Sequence, residues 1–252
     1  MATAAFKDLF SLQAADYARF RPIYPPELYA CLAAKAPARR LAIDVGTGNG
    51  QAAIALAAHF ERVIGVEPSD GQRANATPAP HVEYRPGTAE ATGLDAASAD
   101  LLTVAQAIHW FKHDAFFEEV RRVVRPQGLF AFWCYGLTTI SPEIDAAVHF
   151  YYEDLLGPYW EPERRMVEDG YRNIAVPFDP IAPIAIPPFA MQLSWTFEHL
   201  IGYLGTWSPR KRYLETHGND ALELAYPRLR EAWGATGERP VRWPLSVRAF
   251  RI

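Results

Sequence analysis

The stretch LAIDVGTGNG, which spans Leu41–Gly50, is a short apolar run that ends in a glycine-rich turn. Behind it, Ile54, Ala57 and Ala58 recur at helical spacing. The stretch therefore predicts a buried strand, a tight turn and a helix. Glycine is needed in such a turn where backbone comes close to a ligand or adopts a positive φ. A glycine motif between a strand and a helix is the context that indicates a ligand site.

The same alternation of apolar runs and helical patterns continues along the chain. A helix is predicted at His113–Arg125, and its apolar side chains share one face. Strands that are apolar on both faces and alternate with such helices indicate an α/β fold, with a parallel sheet covered on both sides. The further strands predicted here are Val63–Val66, Val82–Arg85, Leu101–Val104 and Leu129–Trp133.

Two more strands are predicted near the end of the chain, at Phe189–Trp195 and Trp243–Arg251. A helical stretch, Glu198–Gly234, joins them, and the pair would complete one edge of the sheet. The expected fold is thus a Rossmann-like, seven-stranded, mostly parallel sheet with helices on both faces.

Composition narrows the class of protein. The chain has 252 residues, half of them hydrophobic, a net charge of −4 and no long basic run, which argues against a nucleic-acid or membrane-surface partner. The N-terminal residues carry charges within their apolar pattern, so no signal peptide is predicted, and a cytoplasmic location is expected. Cys31 and Cys134 lack the spacing of metal ligands, and no metal is expected.

The register of the glycines distinguishes two kinds of ligand. In the dinucleotide-binding pattern G-x-G-x-x-G, counted from Gly46 and Gly48, the third glycine would fall on Gln51, but it falls on Gly50. A nicotinamide oxidoreductase is therefore disfavoured. Asp44, ahead of the glycines, suits a ligand that carries an ammonium and a sulfonium. Glu67 ends the second strand, where an acid accepts hydrogen bonds from ribose hydroxyls. The glycine register, Asp44 and Glu67 together indicate an adenosyl ligand without phosphate.

These segments resemble the class I S-adenosylmethionine-dependent methyltransferases, and most closely the methyltransferase type 11 family with its trans-aconitate methyltransferase-like group. The resemblance rests on Asp44–Gly50, Glu67 and Ala105–Phe111. Tyr17–Pro25 resembles that group's N-terminal signature, and Thr206–Ser208 followed by Arg212-Tyr213 resembles its C-terminal one.

The resemblance implies S-adenosyl-L-methionine as cofactor and S-adenosyl-L-homocysteine as product. The family commonly has Asp-Ala-Glu after its third strand, where this chain has Thr88-Ala89-Glu90, so Thr88 or backbone must replace the Asp contact with adenine. The full set of expected cofactor contacts is Tyr17, Asp44, Gly46, Thr47, Gly48, Gly50, Glu67, Pro68, Thr88, Ala89, Glu90, Ala105, Gln106, His109 and Trp110.

The domain organisation follows from this assignment. The chain is predicted to be one methyltransferase domain, with no internal repeat and no low-complexity linker. Its four parts are N-terminal lid helices (1–40), the cofactor-binding core (41–137), an inserted substrate lid (138–188), and C-terminal strands and helix that complete the sheet (189–252).

Three residues are candidates for the catalytic step. His109 follows the fourth strand, at the sheet edge where open α/β folds bind ligands, and it could accept a proton from the methyl acceptor. Tyr17 and Arg19, with Arg21 nearby, belong to the expected lid, where an arginine would suit a carboxylate. An ionised carboxylate acceptor would need no general base. His109 could instead orient its loop, and the arginines could be surface charges.

The predicted function is methyl transfer to a small molecule, most simply O-methylation of a carboxylate or hydroxyl by in-line displacement. An N or C acceptor in secondary metabolism is an alternative. A protein that binds the adenosyl ligand without catalysis is another.

Overall fold

The chain folds around one seven-stranded sheet. The structure, a computed structural model, describes Phe20 and residues 22–178, 184–234 and 237–252. Along the chain, the first part of the fold consists of α1 (Pro26–Lys35), β1 (Leu41–Val45), α2 (Gln51–Leu56), β2 (Arg62–Val66), α3 (Asp70–Ala74), β3 (Val82–Arg85), β4 (Ala99–Ala105), a 3₁₀ turn (Ile108–Trp110), α4 (His113–Val123) and β5 (Val124–Tyr135).

The second part begins with a helical segment and returns to the sheet. It consists of α5 (Pro142–His149), a π turn (Phe150–Leu155), a 3₁₀ turn (Gly157–Tyr159), α6 (Arg164–Glu168), β6 (Ala190–Trp195), α7 (Phe197–Gly205), α8 (Pro209–His217), α9 (Ala221–Trp233) and β7 (Arg239–Arg251).

The strand order is β3-β2-β1-β4-β5-β7-β6. Strands β1 to β5 pair in parallel, whereas β7 is antiparallel to both β5 and β6. This confirms the predicted α/β fold with a seven-stranded, mostly parallel sheet, and the late strands complete one edge as expected. Because the order reverses beside β1, whose neighbours are β2 and β4, this point is where a ligand crevice is expected.

The sheet is buried on both faces, as its continuous apolar strands require. Alternate residues of each strand point to opposite sides, so Leu101 and Trp133 belong to one core while Leu102 and Phe132 belong to the other. The first core includes α1, α2 and most of the second part of the chain. The second core packs the apolar face of α4 against the sheet.

Several boundaries differ from those predicted. The helix predicted at His113–Arg125 ends at Val123, because the chain enters β5 at Val124. The single helical stretch predicted at Glu198–Gly234 is three helices. Pro209 starts α8, and Gly218, in the left-handed conformation with φ +73°, ends it.

The structure describes only some of the residues in the two predicted lids, 1–40 and 138–188. Of the N-terminal part, α1 begins at Pro26, and residues 1–19 and 21 lie outside the described residues. The segment 138–188 contains α5, whose buried face packs against α9. The division into four parts, and the role of this segment as a lid, stay predictions.

Candidate active site

The glycine loop lies at the carboxyl end of β1, between β2 and β4. All three of its glycines have a positive φ: +68° at Gly46, +57° at Gly48 and +90° at Gly50. A Cβ at Gly46 would lie 2.9 Å from the Ala107 side chain, so glycine is required for the close contact with the loop after β4. At Gly48, by contrast, a Cβ would meet no heavy atom within 4 Å. The loop therefore leaves open space beside Gly48.

The Asp44 carboxylate is enclosed at the base of this loop, with 1% of the residue exposed. The Thr47 hydroxyl donates to its Oδ2 at 2.6 Å, and the Thr103 hydroxyl on β4 donates to its Oδ1 at 2.8 Å. Burial raises the pKa of Asp44 to about 6, although the two hydroxyls oppose the shift and the Glu67 charge adds to it. A cation bound nearby would favour the ionised form.

The Glu67 carboxylate reaches from β2 to the glycine loop. Its Oε2 accepts the Gly48 N–H at 2.9 Å, and its Oε1 accepts the Ser69 N–H at 3.1 Å. The carboxylate thus lies directly against the backbone of the glycine loop. The predicted pair of loop and acid is thus one connected structure. Pro68, half-buried, links Glu67 to Ser69, which caps α3 through a bond from the Gln72 N–H.

The turn after β3 carries the next predicted contacts. Thr88 is exposed and its backbone bridges to Ala91, while Ala89 is buried. The Glu90 carboxylate accepts the backbone N–H of Lys112 at 2.9 Å, which joins this turn to the turn after β4. Thr88 therefore has an exposed hydroxyl at the position where the family commonly has an Asp.

Beyond Ala105, the end of β4, the chain makes an unusual turn. Gln106 has a φ of +55°, and its side-chain amide is used structurally: Oε1 accepts the Tyr135 N–H at 2.8 Å and Nε2 donates to the Tyr135 carbonyl at 3.2 Å. These bonds tie the carboxyl ends of β4 and β5 together. The Gln106 side chain is therefore bonded to β5, so the backbone of Gln106 would have to make any contact with the cofactor.

His109 is buried, and its neighbour Trp110 is exposed. The His109 Nδ1 and the Tyr171 hydroxyl share a hydrogen bond of 2.6 Å, and the His109 and Trp110 rings lie 4.7 Å apart. Burial, followed by the charges of Arg164 and His113, lowers the pKa of His109 to about 3. Such a group is neutral at physiological pH and is a weak base. The catalytic role of His109 stays a prediction that this environment does not favour.

The other two catalytic candidates, Tyr17 and Arg19, lie outside the described residues, as does Arg21. The residues on either side are described. Phe20 packs edge-on against His199 of α7, and the Pro22 carbonyl accepts a hydrogen bond from the Gln51 side chain at the start of α2. Pro22 therefore lies beside the start of α2, the helix that follows the glycine loop.

Sequence reasoning missed two residues of this site. Thr103 could have been noticed as the one hydroxyl within the apolar run Leu101–Val104. Tyr171 could not, because it lies 62 residues from His109 along the chain and reaches it only through the fold.

Comparison with known proteins places this site in a family. A family model described as a methyltransferase domain matches residues 43–132, which include the glycine loop, Glu67 and His109. A Dictyostelium discoideum protein whose name describes it as a methyltransferase is 38% identical over 235 residues, which cover 92% of this chain and 88% of that protein. The chain belongs to the class I S-adenosylmethionine-dependent methyltransferases.

Two other proteins extend the comparison of this methyltransferase. A solved structure from Anaeromyxobacter dehalogenans, described as a type II methyltransferase, is 44% identical, covers 92% of this chain and 98% of its own, and superposes with a TM-score of 0.85. The Saccharomyces cerevisiae protein CRG1, whose name states dependence on S-adenosylmethionine, is 29% identical over 62% of this chain and 58% of its own length.

The residues present fit S-adenosylmethionine. The open space beside Gly48 admits a ligand against the backbone, and the buried Asp44 carboxylate and the Glu67 carboxylate suit a cationic ligand with ribose hydroxyls. Within the described ranges, no group of three or more His, Cys, Asp or Glu side chains could hold a metal ion. Over the same ranges, no helix has the length and apolar character to cross a bilayer.

Replacing Glu67 by alanine is expected to weaken S-adenosylhomocysteine binding by about 1.5–3 kcal/mol, because charge-assisted hydrogen bonds are lost. Titration calorimetry measures the change. The control is Glu83→Ala, since Glu83 lies on the adjacent strand β3 and pairs with Arg62 and Arg85 on the exposed surface. Wild-type affinity in the Glu67 variant would show that this acid does not hold the ligand.

Proposed function

We propose that this methyltransferase acts on a small molecule, and that the atom it methylates is a carboxylate oxygen. The proposal is carried by one observation: His109 is buried and its Nδ1 is hydrogen-bonded to the Tyr171 hydroxyl, and this burial lowers the pKa of His109. A phenol, alcohol or ammonium acceptor must lose a proton before or during attack, and a base this weak gives little help. A carboxylate is already ionised at neutral pH. The resemblance to the trans-aconitate methyltransferase-like group supports an organic acid as well.

The proposed roles of the chain's residues follow from their environments. Gly46, Gly48 and Gly50 shape the loop on which the cofactor lies, with Thr47 fixing it through Asp44. Asp44 supplies a negative charge for the cofactor's ammonium, and Glu67 accepts from its ribose. The adenine is bordered by Thr88, Ala89 and Glu90. The backbone of Ala105 and Gln106 completes the cofactor site.

His109 is proposed to act through position rather than by proton transfer. Burial keeps the pKa of Tyr171 well above its usual range, so its phenol remains protonated and can donate to the His109 Nδ1. The pair holds the turn that carries Trp110, whose exposed ring can cover the acceptor and exclude water.

The chemistry in this site is a displacement that moves no proton. When bound, S-adenosylmethionine supplies a methyl carbon on a sulfonium: an electron pair of the carboxylate oxygen forms the new C–O bond, the C–S pair stays on sulfur, and the products are a methyl ester and S-adenosylhomocysteine. The chain's task is to align the acceptor oxygen with that carbon.

A labelled-methyl transfer screen over carboxylic acids, phenols and amines tests this proposal. We expect label in the acids, in a product that releases labelled methanol on alkaline hydrolysis, as methyl esters do. Label that enters only phenols or amines, in products stable to alkali, would overturn the carboxylate proposal.

A further inference from the structure

Arg164 is a rigidly held cation beside the predicted reaction centre. Its Nε donates to the Tyr152 hydroxyl at 2.9 Å. Its guanidinium carbon lies 5.0 Å from the ring centroid of Trp160 and 5.5 Å from that of Tyr152. Cation–π contacts with two aromatic rings and one hydrogen bond hold the guanidinium in place. Among the described residues, no hydrogen bond engages its two terminal nitrogens, which carry four N–H donors.

Those donors have no acidic partner within the described part of the chain. Arginines elsewhere in the fold, such as Arg125, Arg210 and Arg212, pair with Asp or Glu side chains. No carboxylate among the described residues comes within 4.0 Å of the Arg164 guanidinium. The nearby Glu168 carboxylate is engaged by the Tyr152 hydroxyl instead. A half-buried, preorganised guanidinium with no directly paired carboxylate among the described residues is a binding group for a carboxylate.

The fold carries this cation to the edge of the sheet where ligands bind. Arg164 begins α6, and α6 packs against the 3₁₀ turn Ile108–Trp110 that follows β4. Its charge contributes, after burial, to the lowered pKa of His109. It also opposes the effect of burial on the pKa of Cys134, which lies near the carboxyl end of β5. Arg164 is thus close to the carboxyl ends of β4 and β5. These strands lie beside β1, whose carboxyl end carries the glycine loop.

We infer that Arg164 binds the carboxylate of the methyl acceptor and thereby selects anionic acceptors. This inference rests on the proposed function, since it names the residue that recognises the proposed substrate class. One carboxylate oxygen accepts from the guanidinium while the other remains directed to the methyl carbon. The aromatic frame of Tyr152 and Trp160 keeps the cation from moving as the acceptor binds.

The test uses paired acceptors in the methyl transfer assay: benzoate, glutarate and citrate, each with the corresponding amide. For any acid that the wild-type protein methylates, Arg164→Gln should raise the KM about 10- to 100-fold, because a charge-assisted hydrogen bond is lost. The Kd of S-adenosylhomocysteine should not change. Arg164→Lys, which keeps the charge without the planar fork, should recover part of the affinity. Arg165→Gln is the matched control, as Arg165 is the exposed neighbour on the same helix.

The outcomes separate the two proposals. A KM for the acid that is unchanged in Arg164→Gln would overturn the inference and leave the proposed function standing. Equal loss in Arg164→Gln and Arg165→Gln would overturn it too, since a specific contact would not explain that result. If the wild-type protein methylates none of the three acids, the carboxylate proposal fails first and the inference with it.

Discussion

Replacing Gly48 by valine is expected to abolish measurable S-adenosylhomocysteine binding, a loss of at least about 100-fold, or about 2.7 kcal/mol. Gly48 has a φ of +57° and faces open space, with nothing within 4 Å of where a Cβ would lie. A branched side chain there would occupy the volume through which the cofactor contacts the loop. It would also move the Gly48 N–H away from the Glu67 carboxylate, which accepts it at 2.9 Å. Titration calorimetry gives the affinity directly.

The backbone cost of this substitution must be separated from the steric effect on the ligand. A β-branched residue at positive φ is strained by roughly 1–3 kcal/mol wherever it stands. Gly93 offers the matched control, because it has a φ of +70°, is exposed and likewise has nothing within 4 Å. Both valine variants should lose similar thermal stability, but only the Gly48 variant should lose binding. Equal binding in both would contradict the proposed course of the ligand.

Replacing Asp44 by asparagine is expected to weaken cofactor binding and to stabilise the ligand-free protein. Binding should fall roughly tenfold or more, because the negative charge for the ammonium is removed. Burial raises the pKa of this carboxyl from 3.8 to about 6. The folded protein thus holds the ionised form at a cost of about 3 kcal/mol at neutral pH. Asparagine removes the buried charge, and we expect the Tm to rise at neutral pH.

The pH dependence of folding stability tests whether the Asp44 charge is held at a cost. Between pH 3.8 and about 6, the folded protein binds more protons at Asp44 than the unfolded chain does, so this group's contribution to stability decreases as the pH rises through that window. The advantage of Asp44→Asn should therefore be full above pH 6 and vanish towards pH 4. Wild-type cofactor affinity should fall as the pH drops below about 6, and the variant's affinity should not.

Asp100, a second buried acid, provides the control for Asp44→Asn. Asp100 on β4 is fully buried, pairs with Arg125 and accepts the backbone N–H groups of Arg40 and Leu41. Asp100→Asn should therefore lower the Tm, since it breaks a paired structure far from the glycine loop. Destabilisation by both asparagine variants at neutral pH would show that the Asp44 charge is not held at a cost.

The parts of the site that could be predicted are those encoded by short stretches of sequence. The strand, the glycines and their register lie within Leu41–Gly50, and all three glycines adopt the positive φ that motivated the prediction. Glu67 is predicted as the acid at the end of the second strand that accepts from ribose hydroxyls, and its carboxylate does bond to Gly48. The seven-stranded sheet followed from the apolar patterns in the same way.

The parts that could not be predicted depend on contacts between distant segments. His109 was expected at the right edge, but its burial and its bond to Tyr171 come from a segment 62 residues away. The sequence alone predicts a histidine that titrates near neutrality, because neither the burial nor the hydrogen bond to Tyr171 is visible in it. Gln106 was expected to contact the cofactor, yet its amide bonds to Tyr135 on the next strand. Patterns along the chain do not reveal which partner such a side chain takes.

Arg164 shows the same limit on the acceptor side. Its sequence neighbours, Glu163 and Arg165, are also charged, and the sequence predicts no role for Arg164. Only the fold shows that its guanidinium makes cation–π contacts with Trp160 and Tyr152 and lacks a directly paired acid within the described residues. The arginines that the sequence favoured for a carboxylate, Arg19 and Arg21, lie outside the described residues, so their role stays a prediction.

The central claim is that the register of the glycines and the two acids select an adenosyl cofactor without phosphate. Calorimetric titration of the purified wild-type protein with S-adenosylhomocysteine, and separately with NAD, tests it most directly. We expect one S-adenosylhomocysteine per chain, with a Kd on the order of micromolar, and no heat of binding with NAD. Binding of NAD with equal or greater affinity, or the absence of S-adenosylhomocysteine binding, would contradict the account.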